Sequence, residues 1–366
     1  MRHLELFAGI GGFRRAMDLL TQDHIMNFHC VGYSEIDLKA VTTYCANFRP
    51  ELDEEVAMGD IVEFTKNTEN IENLPDFDLL TGGFPCQTFS MMGKQAGFNE
   101  DRGQMFFRII DILSARRPRY VLLENVKNLK NHDQGRTYQR INEELELLGY
   151  RVFSAVFNTA NFHLPQTRNR LLIFATTEPL PDNFEDMFSS SNVAETFENV
   201  YANLSVSHYR TVNDLLQRKV NQKYFLSEKI KPTILADGSA NFKSRSDINM
   251  RIARPLTATM HKMHRACQDN YYSQDFIESH GEINPVETMT KAELAKLPIR
   301  KITPEEAFML QGFPASFALN GRNAGVADGS LYKQAGNAVS VNTIYAVLYY
   351  LITNNIIHEG YVFLLF

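Results

Sequence analysis

Cys86 stands where a side chain could act as a nucleophile. An apolar run, Phe77 to Leu80, reads as the end of a buried strand. Gly82 and Gly83 then free the backbone, Pro85 stiffens it, and the thiol follows at the tip. A group so presented lies at the carboxyl edge of a parallel sheet, where open α/β folds place their ligands. A free cysteine is as readily a small buried hydrophobe, and on this stretch alone both readings stand. A carboxylate falls at a comparable point, since Glu124 closes the buried run Tyr120-Val121-Leu122-Leu123. Two cations, Arg168 and Arg170, lead into another such run, Leu171 to Ala175. A second set lies near the amino terminus. Gly9, Gly11 and Gly12 follow a short apolar run, and Glu35 ends the next one about two dozen residues later, placed to accept hydrogen bonds from a ribose diol. Asp60 ends a third run in the same way. Glycine turn, acid and acid are the layout of an adenosyl-ligand pocket. Either acid alone reads more simply as a solvated loop residue.

These groups need a sheet to hold them. Leu4, Leu6 and Phe7, then the glycines, then Phe13, Ala16, Met17, Leu19 and Leu20 at helical spacing make a strand, turn and helix. The residues from 91 to 102 are polar and glycine-containing and read as a mobile flap. Helices follow at Met105 to Leu113 and Thr137 to Leu148, with a strand at Val152 to Phe157. This alternation through residue 176 calls for an α/β, doubly wound, mostly parallel sheet with helices on both faces. Residues 178–208 are rich in Ser, Asn and Glu with Pro179 and Pro181, a linker-like entry. A second, smaller, irregular and β-rich domain is expected beyond it. Thr303 should cap a helix from Pro304 to Met309 that Gln311-Gly312-Phe313-Pro314 ends. The apolar helix Val341 to Ile352 should pack back onto the first domain. The domains are therefore read as 1–177 with 325–366, and 178–324 with hinge segments.

The chain of 366 residues has four cysteines, Cys30, Cys45, Cys86 and Cys267, with no CxxC spacing. Reduced thiols, a cytoplasmic protein and no zinc or other metal site are expected. No apolar run reaches the ~18 residues of a membrane span, and the amino terminus lacks a signal-peptide pattern. Net charge is −6, yet residues 208–265 hold twelve Lys/Arg against four acids, so that segment is +8 and the remainder −14. A basic module on an acidic body suits a local polyanion site; a merely solvated basic surface is the plainer alternative.

Taken together, FAGIGG at 7–12, GFPCQ at 83–87, ENV at 124–126, QTRNR at 166–170, LQGFP at 310–314 and GNAV at 336–339 resemble the DNA cytosine-5 methyltransferase family, of bacterial or phage type. The resemblance runs from Leu4 to about Ile352, omitting only the variable middle, with the motifs in family order. It implies a Rossmann-like S-adenosylmethionine-dependent fold with a target-recognition domain. It implies that Phe7, Gly9, Gly11, Glu35, Ile36, Asp60, Ile61, Pro85, Asn337 and Val339 hold the cofactor. At position 36 the family often has an aromatic residue, so Ile36 implies plain apolar packing. Cys86 would be the thiolate that attacks carbon 6 of a flipped-out cytosine. Glu124 would serve ring nitrogen 3, and Arg168 and Arg170 would orient the base and neighbouring phosphates. Gln87, Met92, Arg251, Arg254, Thr257, Thr259, Lys262 and Arg265 would contact double-stranded DNA, with Met92 as a wedge in the vacated stack. A monomer is expected, in a restriction-modification or related bacterial or phage system, with any cognate endonuclease acting separately. The rival readings are an RNA-directed relative, a non-catalytic DNA-binding member, and a nicotinamide dehydrogenase, which leaves GFPCQ, ENV and QTRNR unexplained.

Overall fold

A computed structural model describes residues 1–50, 54–85, 104–238, 244–262 and 266–360. Seven strands form the main sheet: β1 (Arg2–Leu6), β2 (His29–Ser34), β3 (Val56–Gly59), β4 (Leu79–Gly83), β5 (Tyr120–Val126), β6 (Arg151–Asn158) and β7 (Asn169–Thr176). Their order is β3-β2-β1-β4-β5-β7-β6. The first five pair in parallel, and β7 runs antiparallel to both β5 and β6. The doubly wound α/β fold expected from the sequence is the one found.

The two-residue period of a strand sends alternate side chains to opposite faces. Leu4, Leu6, Leu80, Val121, Leu123, Leu171 and Ile173 thus belong to one core, and Leu79, Tyr120, Leu122, Leu172 and Phe174 to the other. The helix Gly12–Gln22 covers the second face through Phe13, Ala16, Met17 and Leu20, and packs on the buried helix Val341–Thr353. The helices Gln104–Arg116 and Arg136–Leu147 cover the first. The long apolar stretch near the carboxyl end, Asp328–Thr353, is thus mostly core.

Two expectations about the middle of the chain change. Residues 178–208 are not linker-like: they fold into helices Phe184–Met187 and Ser190–Glu198. Phe184, Phe188, Val193 and Phe197 are buried in the main core. The Ser, Asn and Glu residues that dominate the composition lie between these anchors. The following segment is irregular but not β-rich among the described residues. Among the described residues its one ladder pairs β8 (Tyr271–Ser273) with β9 (Ile299–Lys301), beside isolated bridges from Phe225 to Arg300 and from Ala253 to Gln166. Its own small core comprises Ile234, Leu235, Ile248, Ala266, Tyr271, Leu294 and Ile299. Short apolar runs here close turns and single-turn helices instead of a ladder.

Thr303 caps the helix Pro304–Met309, in a reciprocal capping box with Glu306. Glu306 also pairs with Arg300 through two bonds of 2.8 and 2.7 Å, both side chains fully buried. Its oxygens accept the Gln217 and Thr303 amides as well, each at 2.7 Å. Removing one partner of a buried ion pair leaves the other charge uncompensated, at a cost of about 3–5 kcal/mol. Glu306→Ala should lose that much unfolding free energy in urea titration. A loss below about 1 kcal/mol, the worth of an exposed pair, would contradict the assignment.

Candidate active site

Parallel pairing of β4 with β5 sets Gly83 opposite Glu124, at the carboxyl ends of both strands. Antiparallel pairing of β5 with β7 then sets Arg170 opposite Val126. From there the Arg170 Nε donates to Glu124 Oε1 at 2.8 Å. The Glu124 side chain is 12 % exposed. Burial raises its pKa above the ordinary glutamate value, against the opposing pull of Arg170 and Arg168. A carboxyl group in this setting favours its protonated form and can donate a hydrogen bond or a proton. The neighbouring Asn125 is buried and donates through Nδ2 to the Phe84 carbonyl at 2.8 Å. It thereby ties the strand carrying Glu124 to the start of the loop that leads to Cys86. Cys86, Gln87, Met92, Arg265 and the flap from 91 to 102 lie outside the described residues.

Arg168 departs from its expected position on the base. Its side chain is interior, 1 % exposed, and donates to the carbonyls of Leu256 at 2.9 Å, Gly336 at 3.1 Å and Ala338 at 2.9 Å. Burial, then the Arg170 charge, lowers its pKa to about 9. The guanidinium is committed to backbone oxygens, so Arg168 positions other segments where Arg170 faces Glu124. Gln166 works alongside it, donating to the Leu310 carbonyl and accepting the Leu256 amide, both at 2.9 Å. Gln311 donates to the Ala335 carbonyl at 2.7 Å. Sequence reasoning assigned no role to Asn125, Gln166 or Gln311. Their place inside the motifs was the available signal, because buried amides must be hydrogen-bonded.

On the cofactor side, Phe7 has φ +54°, a left-handed conformation that a bulky residue adopts at a cost, and its amide donates to Ser34 Oγ at 3.1 Å. Gly9 has φ +57°, and a Cβ there would meet nothing within 4 Å. The Gly9 amide donates to Glu35 Oε2 at 2.9 Å and the Asp37 amide to Oε1 at 2.8 Å. The carboxylate is thus fixed beside an open backbone surface. Gly11 serves packing instead: a Cβ there would fall 2.2 Å from the Phe48 ring. Ile36 is 67 % exposed. Its side chain offers an uncovered apolar surface next to Glu35. Asp60 caps the helix Ile61–Thr65 by accepting the Val62 amide at 2.9 Å. Ile61 is buried in the core, so its backbone is what remains for a ligand. Asn337 is exposed at the end of the helix Asp328–Asn337. Val339 packs where a Cβ on Gly12 would lie 2.4 Å away. Pro85 is exposed.

In the basic segment, Thr257, Thr259 and Lys262 are exposed. Arg251 donates to the Gly281 carbonyl at 2.8 Å, and Arg254 to the Asp247 carbonyl at 2.9 Å. These two arginines brace their own domain. The Thr257 backbone lies on Gly336, where a Cβ would approach it to 2.3 Å.

The carboxyl edge of this mostly parallel Rossmann-like sheet thus carries a glycine turn with a fixed acid after β1 and β2 and a buried glutamate on β5. The chain belongs to the C-5 cytosine-specific DNA methylase family, whose model matches residues 1–353, and is a DNA cytosine-5 methyltransferase. It is 36 % identical to the Type II methyltransferase M1.ScrFI of Lactococcus lactis subsp. cremoris over 94 % of this chain and 76 % of that one. It is 34 % identical to M.NlaX of Neisseria lactamica over 94 % of both. The S. pombe Dnmt2 methyltransferase has the same fold, with a TM-score of 0.72 at 20 % identity over 98 % of this chain and 100 % of that one.

Loss of the Asn125 amide would remove this donor from the Phe84 carbonyl and loosen the strand end. A misplacement of ~1 Å costs on the order of a hundredfold in rate. Asn125→Ala should therefore methylate DNA about 10–100-fold more slowly while binding the methyl donor normally, as measured by filter assay and calorimetry. A wild-type rate would remove Asn125 from the positioning apparatus.

Proposed function

We propose that the protein transfers a methyl group from S-adenosylmethionine to carbon 5 of a cytosine flipped out of duplex DNA, through a transient bond from Cys86. The observation that carries this reading is the buried Glu124, held by Arg170 and paired through Gly83 to the strand that leads to Cys86. Carbon 5 of cytosine is a weak nucleophile. Thiolate addition at carbon 6 makes the ring an enamine and carbon 5 reactive. Charge then develops on ring nitrogen 3, where Glu124 donates its proton, and after methylation loss of the carbon 5 proton expels the Cys86 thiolate from carbon 6 and restores the ring. Arg170 holds one Glu124 oxygen and leaves the other for the ring. Arg168 acts from inside, keeping the Leu256 and Gly336–Ala338 backbones in register. S-adenosylmethionine supplies an electrophilic methyl on a sulfonium when bound. Its ribose suits Glu35, its adenine suits Ile36 with Asp60 and the Ile61 backbone, and Phe7, Gly9, Gly11, Pro85, Asn337 and Val339 close round the remainder.

Flipping a base costs a few kcal/mol, supplied by contacts to the strand. Thr257, Thr259, Lys262 and Arg265 are proposed for these contacts, with Gln87 and Met92 on the flap. Arg251 and Arg254 contribute by shaping the module. Residues 178–324, with hinge segments, form the target-recognition domain on a catalytic body of 1–177 and 325–366. A monomeric, cytoplasmic enzyme in a bacterial or phage modification system, with any endonuclease a separate protein, completes the reading.

Bisulfite sequencing of DNA from cells expressing the chain should show 5-methylcytosine in one sequence context, and Cys86→Ser should abolish it. Unmodified DNA together with methylated transfer RNA would support the RNA-directed alternative instead. A raised pKa keeps Glu124 protonated to higher pH than a free glutamate, and the donor is lost as pH rises through that value. The rate should therefore fall on the alkaline side. Glu124→Gln should flatten that limb and lower the rate by about 10²–10⁴-fold, the usual worth of general acid catalysis.

A further inference from the structure

We propose that Lys301 is a phosphodiester-binding residue for the DNA strand that passes over Thr257–Lys262. The proposal rests on the DNA reading above and adds a contact on a different element. Lys301 ends β9, outside the basic segment, and is half-buried. Its ammonium lies 5.0 Å from the centre of the Tyr332 ring, which is itself fixed by a 2.5 Å bond from Tyr332 Oη to the Ile302 carbonyl. Lys301 lines a pocket with Pro255, Thr257, Met260 and Asp269. Among the described residues no carboxylate forms an ion pair with it. Two acids nearby are already matched. Asp328 is held by Lys223 at 2.6 Å and Arg322 at 3.1 Å, and Asp37 by Lys333 at 2.6 Å. Asp269 lies in the same lining and pushes the Tyr271 pKa up.

Positive charge also converges here from three elements. Burial first, then Lys262, Lys301 and Lys333, hold His261 below its ordinary pKa. Lys301 itself is lowered by burial, against the pull of Asp328 and with the push of Lys223. Bringing partly desolvated cations together is unfavourable unless an anion joins them. The exposed Thr257 lines the pocket and Lys262 is exposed a few residues on, so the anion with the right charge and address is a backbone phosphate. Tyr332 holds the lysine stem and aims the ammonium, which reduces the rotamer freedom lost on binding.

The test is fluorescence anisotropy of a labelled duplex with full-length protein across about 50–300 mM salt. Removing one phosphate contact should weaken binding about tenfold at low salt and reduce the slope of log affinity against log salt by about 0.9. Lys301→Met, which keeps the stem on Tyr332, should do both, Lys301→Gln should match it, and Lys301→Arg should keep the wild-type slope. S-adenosylmethionine binding, read by calorimetry, should be the same in all and shows that each variant is folded. Unchanged affinity and slope in a folded Lys301→Met or Lys301→Gln protein would overturn this inference alone. A wild-type protein that binds no duplex would overturn the DNA reading beneath it.

Discussion

The pair formed by Glu124 and Arg170 joins three strands at one point. β4 supplies Gly83 beside the acid, β5 supplies the acid, and β7 returns antiparallel so that Arg170 comes back to it. A parallel seventh strand would deliver residue 170 to the opposite end of the sheet. The reversal of β7 is thus the topological feature that brings a cation to the carboxyl edge. The two forces on Glu124 oppose each other. Arginine favours the carboxylate, burial favours the acid, and burial prevails. The group is therefore oriented by a cation without being fully ionised by it.

Around that point, long side chains bonded to backbone oxygens join segments far apart in sequence. Arg168 reaches the Leu256, Gly336 and Ala338 carbonyls, Gln166 spans Leu256 and Leu310, and Asn342 donates to the Phe162 and Ser207 carbonyls. Each such donor is costly to remove because its partner would be left buried and unpaired. Small residues do the complementary task. Gly12 admits Val339, and Gly336 admits the Thr257 backbone, at distances no Cβ could share. The glycine turn, the strands that carry Glu124 and Arg170, and the segment around Thr257 are locked to one another by these contacts.

Much of this was legible in the sequence, for physical reasons. Strand ends marked by a glycine or an acid gave Gly9, Glu35, Gly83 and Glu124 their places, since apolar runs flanked by such residues fit few structures. Thr303 was legible as a cap because its hydroxyl and Glu306 stand at capping-box spacing. The segment 178–208 was not, because composition hides four spaced apolar anchors among polar residues. Arg168 was misplaced because sequence spacing puts it two residues from Arg170 and says nothing of depth. In a strand approached through an irregular turn, neighbouring side chains can go to the interior and to the pocket. Ile36 and Ile61 divide similarly, one exposed and one in the core.

The central claim is that burial raises the Glu124 pKa despite the arginine beside it. It is tested most directly by ¹³C NMR titration of carboxyl-labelled glutamates, with Glu124→Gln to assign the signal. The account predicts a Glu124 pKa above the ordinary glutamate value, rising further in Arg170→Met. A Glu124 that titrates at or below the ordinary value in the wild-type protein would contradict it.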